Sequence, residues 1–177
     1  MQAAKKASPA WPGEIYDVFK QVGIKQVAYV PDAGHTQLIK SCHADRSMNV
    51  ISLTTEEEGV AMLAGAWLGG QRGALLMQSS GVGNCINMLS LMNECRFPLL
   101  MLVTMRGEWG EFNPWQIGMG KGTPAAFENA GVIVQRIPTA EEVREFVFAG
   151  AQLTFNTSRP VALLISQRIV GFKDWSK

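Results

Sequence analysis

Three consecutive glutamates, Glu56 to Glu58, stand where an apolar segment gives way to a helical one. The residues before them, Val50, Ile51 and Leu53, are typical of a strand, and those after them are mostly small and apolar. A carboxylate at such a junction is expected to lie at the mouth of a sheet, partly shielded from water. This environment suits an acid that exchanges protons near neutral pH. One of the three glutamates is therefore a candidate for proton chemistry on a bound molecule.

The same acidic run also has a purely structural explanation. Carboxylates in a first helical turn complement the helix dipole, and Thr55 with Glu58 has the spacing of a capping box. The helix that follows favours a function instead, because it is crowded with glycines, each of which costs roughly 1 kcal/mol relative to alanine. Ala61, Gly65 and Gly69 share one face of that helix. We expect a partner helix to approach closely there.

A second polar segment, 78–84, follows the next apolar strand and reads QSSGVGN. Its predicted position at a helix N-terminus leaves backbone N–H groups free to bind a polar ligand. The segment does not match a dinucleotide fingerprint, because Ile86 occupies the place of the third glycine. Ser79 and Ser80 lack the G-x-S-x-G context of a serine hydrolase, and the chain contains no Walker A sequence. The segment predicts a polar ligand without a nucleotide signature.

Two residues at the ends of predicted strands are candidates for contact with an anionic substrate. His35 follows the first strand, where an imidazole can donate to an oxyanion or shuttle a proton. Arg106 follows the fourth strand and can bind a carboxylate, sulfonate or phosphonate bidentately; the alternative is a salt bridge with Glu108 or Glu111. His35 and His43 lack cysteine or acid partners at ligand spacing, so no metal ligand is expected in this chain.

Short strand-like segments alternate with helical ones along the chain. Every connection between two strands contains a helix, which is the pattern of a mainly parallel sheet with helices on both faces. The sequence therefore predicts a three-layer α/β domain with six strands, and ligands bind such sheets at the carboxyl ends of the strands. The last helix is expected to open with a capping box formed by Thr139 and Glu142. The predicted strands are 26–30, 50–53, 74–78, 99–104, 132–136 and 161–165, and the predicted helices are 12–22, 36–44, 56–68, 84–93, 124–130 and 140–155.

Composition narrows the range of partners. The chain of 177 residues carries 16 Lys+Arg and 15 Asp+Glu without a basic stripe, so nucleic acid is not an expected partner. Its three cysteines are far apart in the sequence, which indicates reduced thiols in the cytoplasm. No apolar stretch is long enough to cross a bilayer, so no membrane association is expected. We predict one domain over 12–170, tails at 1–11 and 171–177, and a long lid or binding loop over 105–122.

Four segments between about Gly13 and Ile165 are distinctive in combination. They are VPDAGH, TTEEEGVAMLAGAWLGG, LLMQSSGVGNCINMLSL, and PLLMLVTMRGE continuing into NPWQIGMGKGTP. Together they resemble the pyrimidine-binding domain of thiamin diphosphate enzymes. Within that family they are most similar to the separate small (alpha) subunit of sulfopyruvate decarboxylase and to phosphonopyruvate decarboxylases.

The resemblance implies roles for particular residues. In this family a glutamate nine residues before a helix glycine contacts the aminopyrimidine ring, and Gly65 points back to Glu56. Glu57 is the alternative if the register shifts by one residue. The implied substrate-binding residues are His35, Arg106 and Gln116, and the implied cofactor-binding residues are Glu56, Ser79, Ser80, Gly81, Val82 and Asn84.

The family's chemistry requires a second polypeptide here. The glutamate favours the imino tautomer of the pyrimidine, which takes the C2 proton of thiamin, and the resulting ylid attacks a 2-oxo acid that then loses carbon dioxide. The Gly-Asp-Gly motif that holds magnesium and diphosphate in this family is absent from this sequence. The resemblance thus implies a companion subunit that binds Mg²⁺ and the diphosphate, in a hetero-oligomer such as α2β2.

The leading hypothesis is therefore one subunit of a heteromeric 2-oxo acid decarboxylase that shares thiamin diphosphate with its companion. A nucleotide-binding α/β domain is an alternative, in which the QSSGVGN segment would hold phosphates and Glu56 would only cap its helix. Another alternative is a non-catalytic interaction module with the same fold. Glu56 in matching register speaks against that module.

Overall fold

A six-stranded sheet, parallel throughout, forms the centre of the molecule. The computed structural model describes residues 10–171. The strand order is β2-β1-β3-β4-β6-β5, and the two strands β4 and β6 are buried along their whole length. The predicted α/β fold is confirmed, and the sheet is fully rather than mainly parallel. The strands are β1 (Ile24–Tyr29), β2 (Asn49–Ser52), β3 (Arg72–Gln78), β4 (Leu99–Thr104), β5 (Ile133–Ile137) and β6 (Pro160–Ile165).

Helices cover both faces of the sheet and bury two separate apolar clusters. Successive side chains of a strand point to opposite faces, so Leu100 and Leu102 belong to one cluster while Leu99 and Met101 belong to the other. Helices α1, α2 and α6 pack on the first cluster, and α3, α4 and α5 pack on the second. The helices are α1 (Trp11–Val22), α2 (Thr36–Ala44), α3 (Glu56–Leu68), α4 (Ser79–Glu94), α5 (Ile117–Asn129), α6 (Val143–Thr157) and α7 (Gln167–Val170), with a 3-10 turn at Pro114–Gln116.

Two helices begin five or more residues earlier than the sequence predicts. The residues 79–83, which lie between the predicted strand 74–78 and the predicted helix 84–93, form the first turns of α4. The predicted long loop ends by residue 116, because α5 starts at Ile117 and continues through Pro124. Burial of Gly120, Thr123 and Phe127 on one side of α5 outweighs the helix-breaking tendency of Pro124. At the carboxyl edge of the sheet, the segments before α4 and α5 are therefore shorter, and the two helices longer, than expected.

The predicted capping boxes do not form. The Thr55 side chain makes no capping bond, and the Glu58 carboxylate instead accepts a hydrogen bond from the backbone of Thr54 at 2.9 Å. The Thr139 hydroxyl donates to the Glu142 carboxylate at 2.9 Å rather than capping the backbone, and α6 begins only at Val143. In both cases the glutamate side chain accepts from a group other than the N-cap backbone N–H.

The predicted tails, 1–11 and 171–177, lie largely outside the described residues. Where they overlap with the structure, Trp11 is already helical and 3% exposed, so α1 begins one residue earlier than predicted. Within residues 10–171, no helix is both long and apolar enough to cross a membrane.

Candidate active site

The first turns of α3 and α4 bring a buried acid against a helix at the carboxyl edge of the sheet. Glu56 is the first residue of α3 and is 6% exposed, whereas Glu57 and Glu58 are exposed. One oxygen of Glu56, Oε2, accepts a hydrogen bond from Asn84 Nδ2 at 2.8 Å. The other oxygen, Oε1, accepts none from the described part of the chain. Among the three glutamates, only Glu56 therefore has the shielded setting that proton chemistry needs.

Gly81 fits the Glu56 carboxyl group closely. A Cβ atom at position 81 would overlap the Glu56 carboxyl carbon and Oε1. Gly81 thus serves close packing inside a helix rather than a loop. Glu56, Gly81 and Asn84, all predicted as cofactor-binding residues, lie together in the structure.

We expect Gly81→Ala to disable the site without destabilising the protein. The new methyl group would push the Glu56 carboxyl group aside, while alanine in a helix is favoured over glycine by roughly 1 kcal/mol. The affinity for thiamin diphosphate, the cofactor that the sequence resemblance implies, should fall at least about tenfold when it is measured by calorimetry with the implied companion chain present, with an unchanged or higher unfolding temperature. Gly13→Ala is the matched control, because nothing lies within 4 Å of a Cβ at that helical position. Equal affinity in both variants would contradict the role given to Gly81.

The remaining residues of this segment differ in accessibility. Ser79 and Val82 have no exposed surface, and Val82 packs in the core under α3, α4 and α5. Ser79 Oγ accepts a hydrogen bond from the Arg106 backbone N–H at 3.1 Å, so it ties α4 to the segment after β4. Ser80 is half-buried, and its hydroxyl donates to Gln78 Oε1 at 2.8 Å. Of the three side chains, only that of Ser80 remains within reach of a ligand.

Arg106, predicted to bind substrate, forms the alternative salt bridge. Its Nε and Nη2 donate to the two carboxylate oxygens of Glu111, each at 2.8 Å. Its Nη1 forms no hydrogen bond within the described residues. Glu108, the other partner considered, pairs with Arg136 instead. Gln116 lies close by, at the end of the 3-10 turn, with its Oε1 buried and unpartnered among residues 10–171.

His35 lies inside the molecule rather than at its surface. It has no exposed area, and its Nε2 is 3.1 Å from the carbonyl oxygen of Leu102. Burial lowers the pKa of His35, so the ring is neutral at pH 7, with Nε2 donating to Leu102 and Nδ1 left bare. The predicted contact between His35 and substrate would require this side chain to move.

Asp32, Gln78 and Thr104 form a polar cluster that was not predicted from the sequence. Asp32 Oδ2 accepts from Thr104 Oγ1 at 2.5 Å, and Asp32 Oδ1 accepts from Gln78 Nε2 at 3.2 Å. Burial opposes ionisation of Asp32, but His35, when its ring is protonated, and the hydrogen bonds from Thr104, Gln78 and the Gly34 backbone outweigh burial and lower the pKa of Asp32. A signal was present in the sequence, since Gln78 and Thr104 are polar residues that end the apolar runs 74–77 and 99–103.

A second missed residue, Gln167, holds the segment 106–113, which we call the arm. Gln167 Oε1 accepts from the backbone N–H groups of Glu108 and Trp109 at 2.9 and 3.0 Å, and its Nε2 donates to Glu111 at 3.0 Å. Burial alone would raise the pKa of Glu111, but hydrogen bonds from Arg106 and two backbone N–H groups lower it to about 2. These bonds hold the arm in place at the carboxyl edge of the sheet. No sequence signal marked Gln167, because its partners lie 56 or more residues away.

The fold and the Glu56 site together define a class, and the chain belongs to the thiamine pyrophosphate enzyme family. Residues 14–113 match the family's N-terminal TPP binding domain. The resemblance described from the four sequence segments is thereby confirmed.

The chain is similar to several individual proteins, which include decarboxylases. The chain is 33% identical to sulfopyruvate decarboxylase subunit alpha of Methanococcus maripaludis, over 85% of this chain and 91% of the relative. It is 34% identical to the protein of the same name from Methanocaldococcus jannaschii, over 85% and 89%. It is 32% identical to phosphonopyruvate decarboxylase of Streptomyces viridochromogenes, over 85% of this chain but only 38% of that protein. A 2-oxoglutarate:ferredoxin oxidoreductase from Magnetococcus marinus shares the fold, with a TM-score of 0.67, 12% identity, and coverage of 88% of this chain and 28% of that one.

Proposed function

We propose that this protein is the pyrimidine-binding subunit of a heteromeric thiamin diphosphate-dependent 2-oxo acid decarboxylase. The observation that carries the proposal is the buried Glu56 carboxylate, held by Asn84 on one oxygen and, within residues 10–171, unpartnered on the other. An acid with one free oxygen fits a ring nitrogen that must exchange a proton. The names of the alpha-subunit relatives support the same reaction class.

Each residue of the site has a distinct task in this proposal. Glu56 holds a proton at its free oxygen, between its carboxylate and the pyrimidine nitrogen. Asn84 fixes the carboxylate through Oε2, and Gly81 leaves the space in which the carboxyl group lies. When bound, thiamin diphosphate supplies the electron sink that decarboxylation requires. The buried packing around Glu56 limits the access of water to this proton.

A companion subunit completes the proposed enzyme. Within residues 10–171 no cluster of three His, Cys, Asp or Glu side chains is placed to hold a metal ion, and the sequence has no Gly-Asp-Gly motif. The chain covers only 40% of a sulfopyruvate decarboxylase from Methanosarcina acetivorans, which leaves room in that relative for a second domain. We propose that the companion binds Mg²⁺ and the diphosphate in an assembly such as α2β2.

The exposed face of α3 is our candidate for part of that subunit contact. Ala61, Gly65 and Gly69 are all exposed, and nothing lies within 4 Å of a Cβ placed at Gly65. A helix of the companion can approach the backbone closely along this face. We also propose a cytoplasmic location, because Cys42, Cys85 and Cys95 are all unpaired.

The substrate is proposed to be a 2-oxo acid that contacts the arm. Arg106 retains Nη1 as a donor beside its bond to Glu111, as far as residues 10–171 are concerned, and this supports Arg106 as a contact for the carboxylate of the acid. Gln116 would contact the acid through its Nε2 amide, because its buried carbonyl oxygen can only accept a hydrogen bond and the anion has none to donate. His35 would contribute indirectly, because its hydrogen bond to the Leu102 carbonyl oxygen supports β4.

The test is reconstitution. The companion chain, identified by its Gly-Asp-Gly motif, is mixed with this protein, thiamin diphosphate and magnesium, and carbon dioxide release is measured from a panel of 2-oxo acids. The panel includes sulfopyruvate, phosphonopyruvate and pyruvate, so that it also determines whether a second anionic group is required. We expect release from at least one acid and only when both chains are present. An assembled pair that binds the cofactor but releases no carbon dioxide from any of them would refute the proposal.

A further inference from the structure

Asp32 fixes the direction of a short chain of hydrogen bonds that ends at Ser80. The chain runs from Asp32 Oδ1 to Gln78 Nε2 at 3.2 Å, and from Gln78 Oε1 to Ser80 Oγ at 2.8 Å. The other oxygen of Asp32 accepts from Thr104 Oγ1 at 2.5 Å. Three elements contribute: the loop after β1, the end of β3, and the first turn of α4.

The order of donors and acceptors follows from the charge of Asp32. An ionised carboxylate only accepts hydrogen bonds, so Gln78 must turn its NH₂ group towards Asp32. The Gln78 carbonyl oxygen then faces Ser80, and the Ser80 hydroxyl must donate its only proton to it. The low pKa of Asp32 is consistent with this charge state at pH 7. Ser80 Oγ consequently offers lone pairs, and no proton, to any ligand that it meets.

Ser80 lies next to the proposed proton site. It precedes Gly81, the residue against which the Glu56 carboxyl group packs, and it is half-buried rather than enclosed. We propose that Ser80 Oγ is a dedicated acceptor for an N–H group of the ligand, and that Asp32 is the positioning residue that makes it one. This inference rests on the proposed function in one respect, since the amino group on the pyrimidine ring is the N–H donor of the proposed cofactor.

The ligand part of the inference is tested by binding rather than turnover. Calorimetry on the assembled pair compares thiamin diphosphate with its analogue that carries a carbonyl oxygen in place of the ring amino group. In Asp32→Asn, the Thr104 hydroxyl keeps the new carbonyl oxygen on its side, because its only other acceptor within residues 10–171, the Met77 carbonyl, is 3.4 Å away. The new NH₂ group then faces Gln78, which must turn its amide, and the Ser80 hydroxyl is released to donate to that carbonyl. We expect the preference for the amino cofactor to fall by about tenfold, the size of one reversed hydrogen bond.

A second substitution should restore the original direction. In Asp32→Asn with Gln78→Glu, the carboxylate at position 78 accepts both from the amide introduced at position 32 and from Ser80, so the preference should return to that of the unsubstituted protein. Ser80→Ala removes the acceptor without touching Asp32, and we expect it to weaken binding of the amino cofactor while leaving binding of the analogue unchanged. Asp45→Asn is the control, because Asp45 also accepts hydrogen bonds from Tyr16, Lys20 and Ser47 but lies elsewhere.

The hydrogen-bond direction also has a readout that needs no cofactor. The unfolding temperatures of Asp32→Asn, Gln78→Glu and the double variant form a cycle, in which we expect both single substitutions to lower the value and the double one to recover most of it. A cycle without coupling, or an unchanged cofactor preference in Asp32→Asn, overturns the inference. If the cycle is coupled and neither cofactor binds, the proposed function and the ligand assigned to Ser80 both fail, while the Asp32-directed chain stands.

Discussion

We expect Glu56→Gln to reduce the turnover of the assembled enzyme by about 10²–10⁴-fold, the range for loss of a general acid or base. Glutamine has nearly the same shape, and its carbonyl oxygen can still accept from Asn84, so α3 and α4 should stay in place. The amide cannot exchange a proton with a ring nitrogen. Carbon dioxide release measures the effect, and size-exclusion chromatography of the mixed chains checks that assembly is intact.

Glu57→Gln is the matched control for this substitution. Glu57 is the next residue of α3 and is exposed, whereas Glu56 is 6% exposed. We expect turnover within about twofold of the unsubstituted enzyme, as for an ordinary surface change. If Glu57→Gln lost activity while Glu56→Gln kept it, the catalytic role would move to Glu57.

The fold was accessible from sequence because its signals are local. Apolar strands alternating with amphipathic helices specify a parallel sheet, and the predicted limits of α2, α3 and β4 match the structure. The two largest errors in the predicted helix limits are the starts of α4 and α5. Glycines such as those of the segment 79–84 usually indicate a loop, and a proline usually stands in the first turn of a helix, but here Gly81 gives room to Glu56 and Pro124 lies in the middle of a packed helix.

The site was accessible only in part, because its partners are distant along the chain. Glu56 was selected through its register with Gly65, and its burial agrees with the environment expected at the mouth of a sheet. Gln167 was missed because each of its arm partners lies more than 50 residues away. The alternatives considered for Arg106 could not be separated from sequence, since Glu108 and Glu111 both follow it closely along the chain. Only the folded structure of the arm shows that Arg106 forms its salt bridge with Glu111.

The largest loss of stability is expected from Glu111→Gln. The Glu111 carboxylate accepts from Arg106, from the backbone of Gly107 and Asn113, and from Gln167, and only 3% of its side chain is exposed. An amide would point an NH₂ group at one of these donors and leave the Arg106 guanidinium, whose side chain is 12% exposed, without its counter-charge. Breaking a buried pair in this way costs about 3–5 kcal/mol of the free energy of unfolding. Urea denaturation at pH 7 measures it, with exposed Glu128→Gln as the control.

The difference in unfolding free energy between the unsubstituted protein and Glu111→Gln should depend on pH, with a sign that follows from the pKa of Glu111. Because the pKa of Glu111 is lowered from 4.5 to about 2 in the folded state, its contribution is complete above pH 4.5 and is lost as the pH falls towards 2. The difference in unfolding free energy between the unsubstituted protein and Glu111→Gln should therefore shrink across that window. Carboxylates elsewhere titrate equally in both proteins and cancel from the difference. A difference that stays constant from pH 4.5 downwards would mean that the arm is held by shape and not by the charge of Glu111.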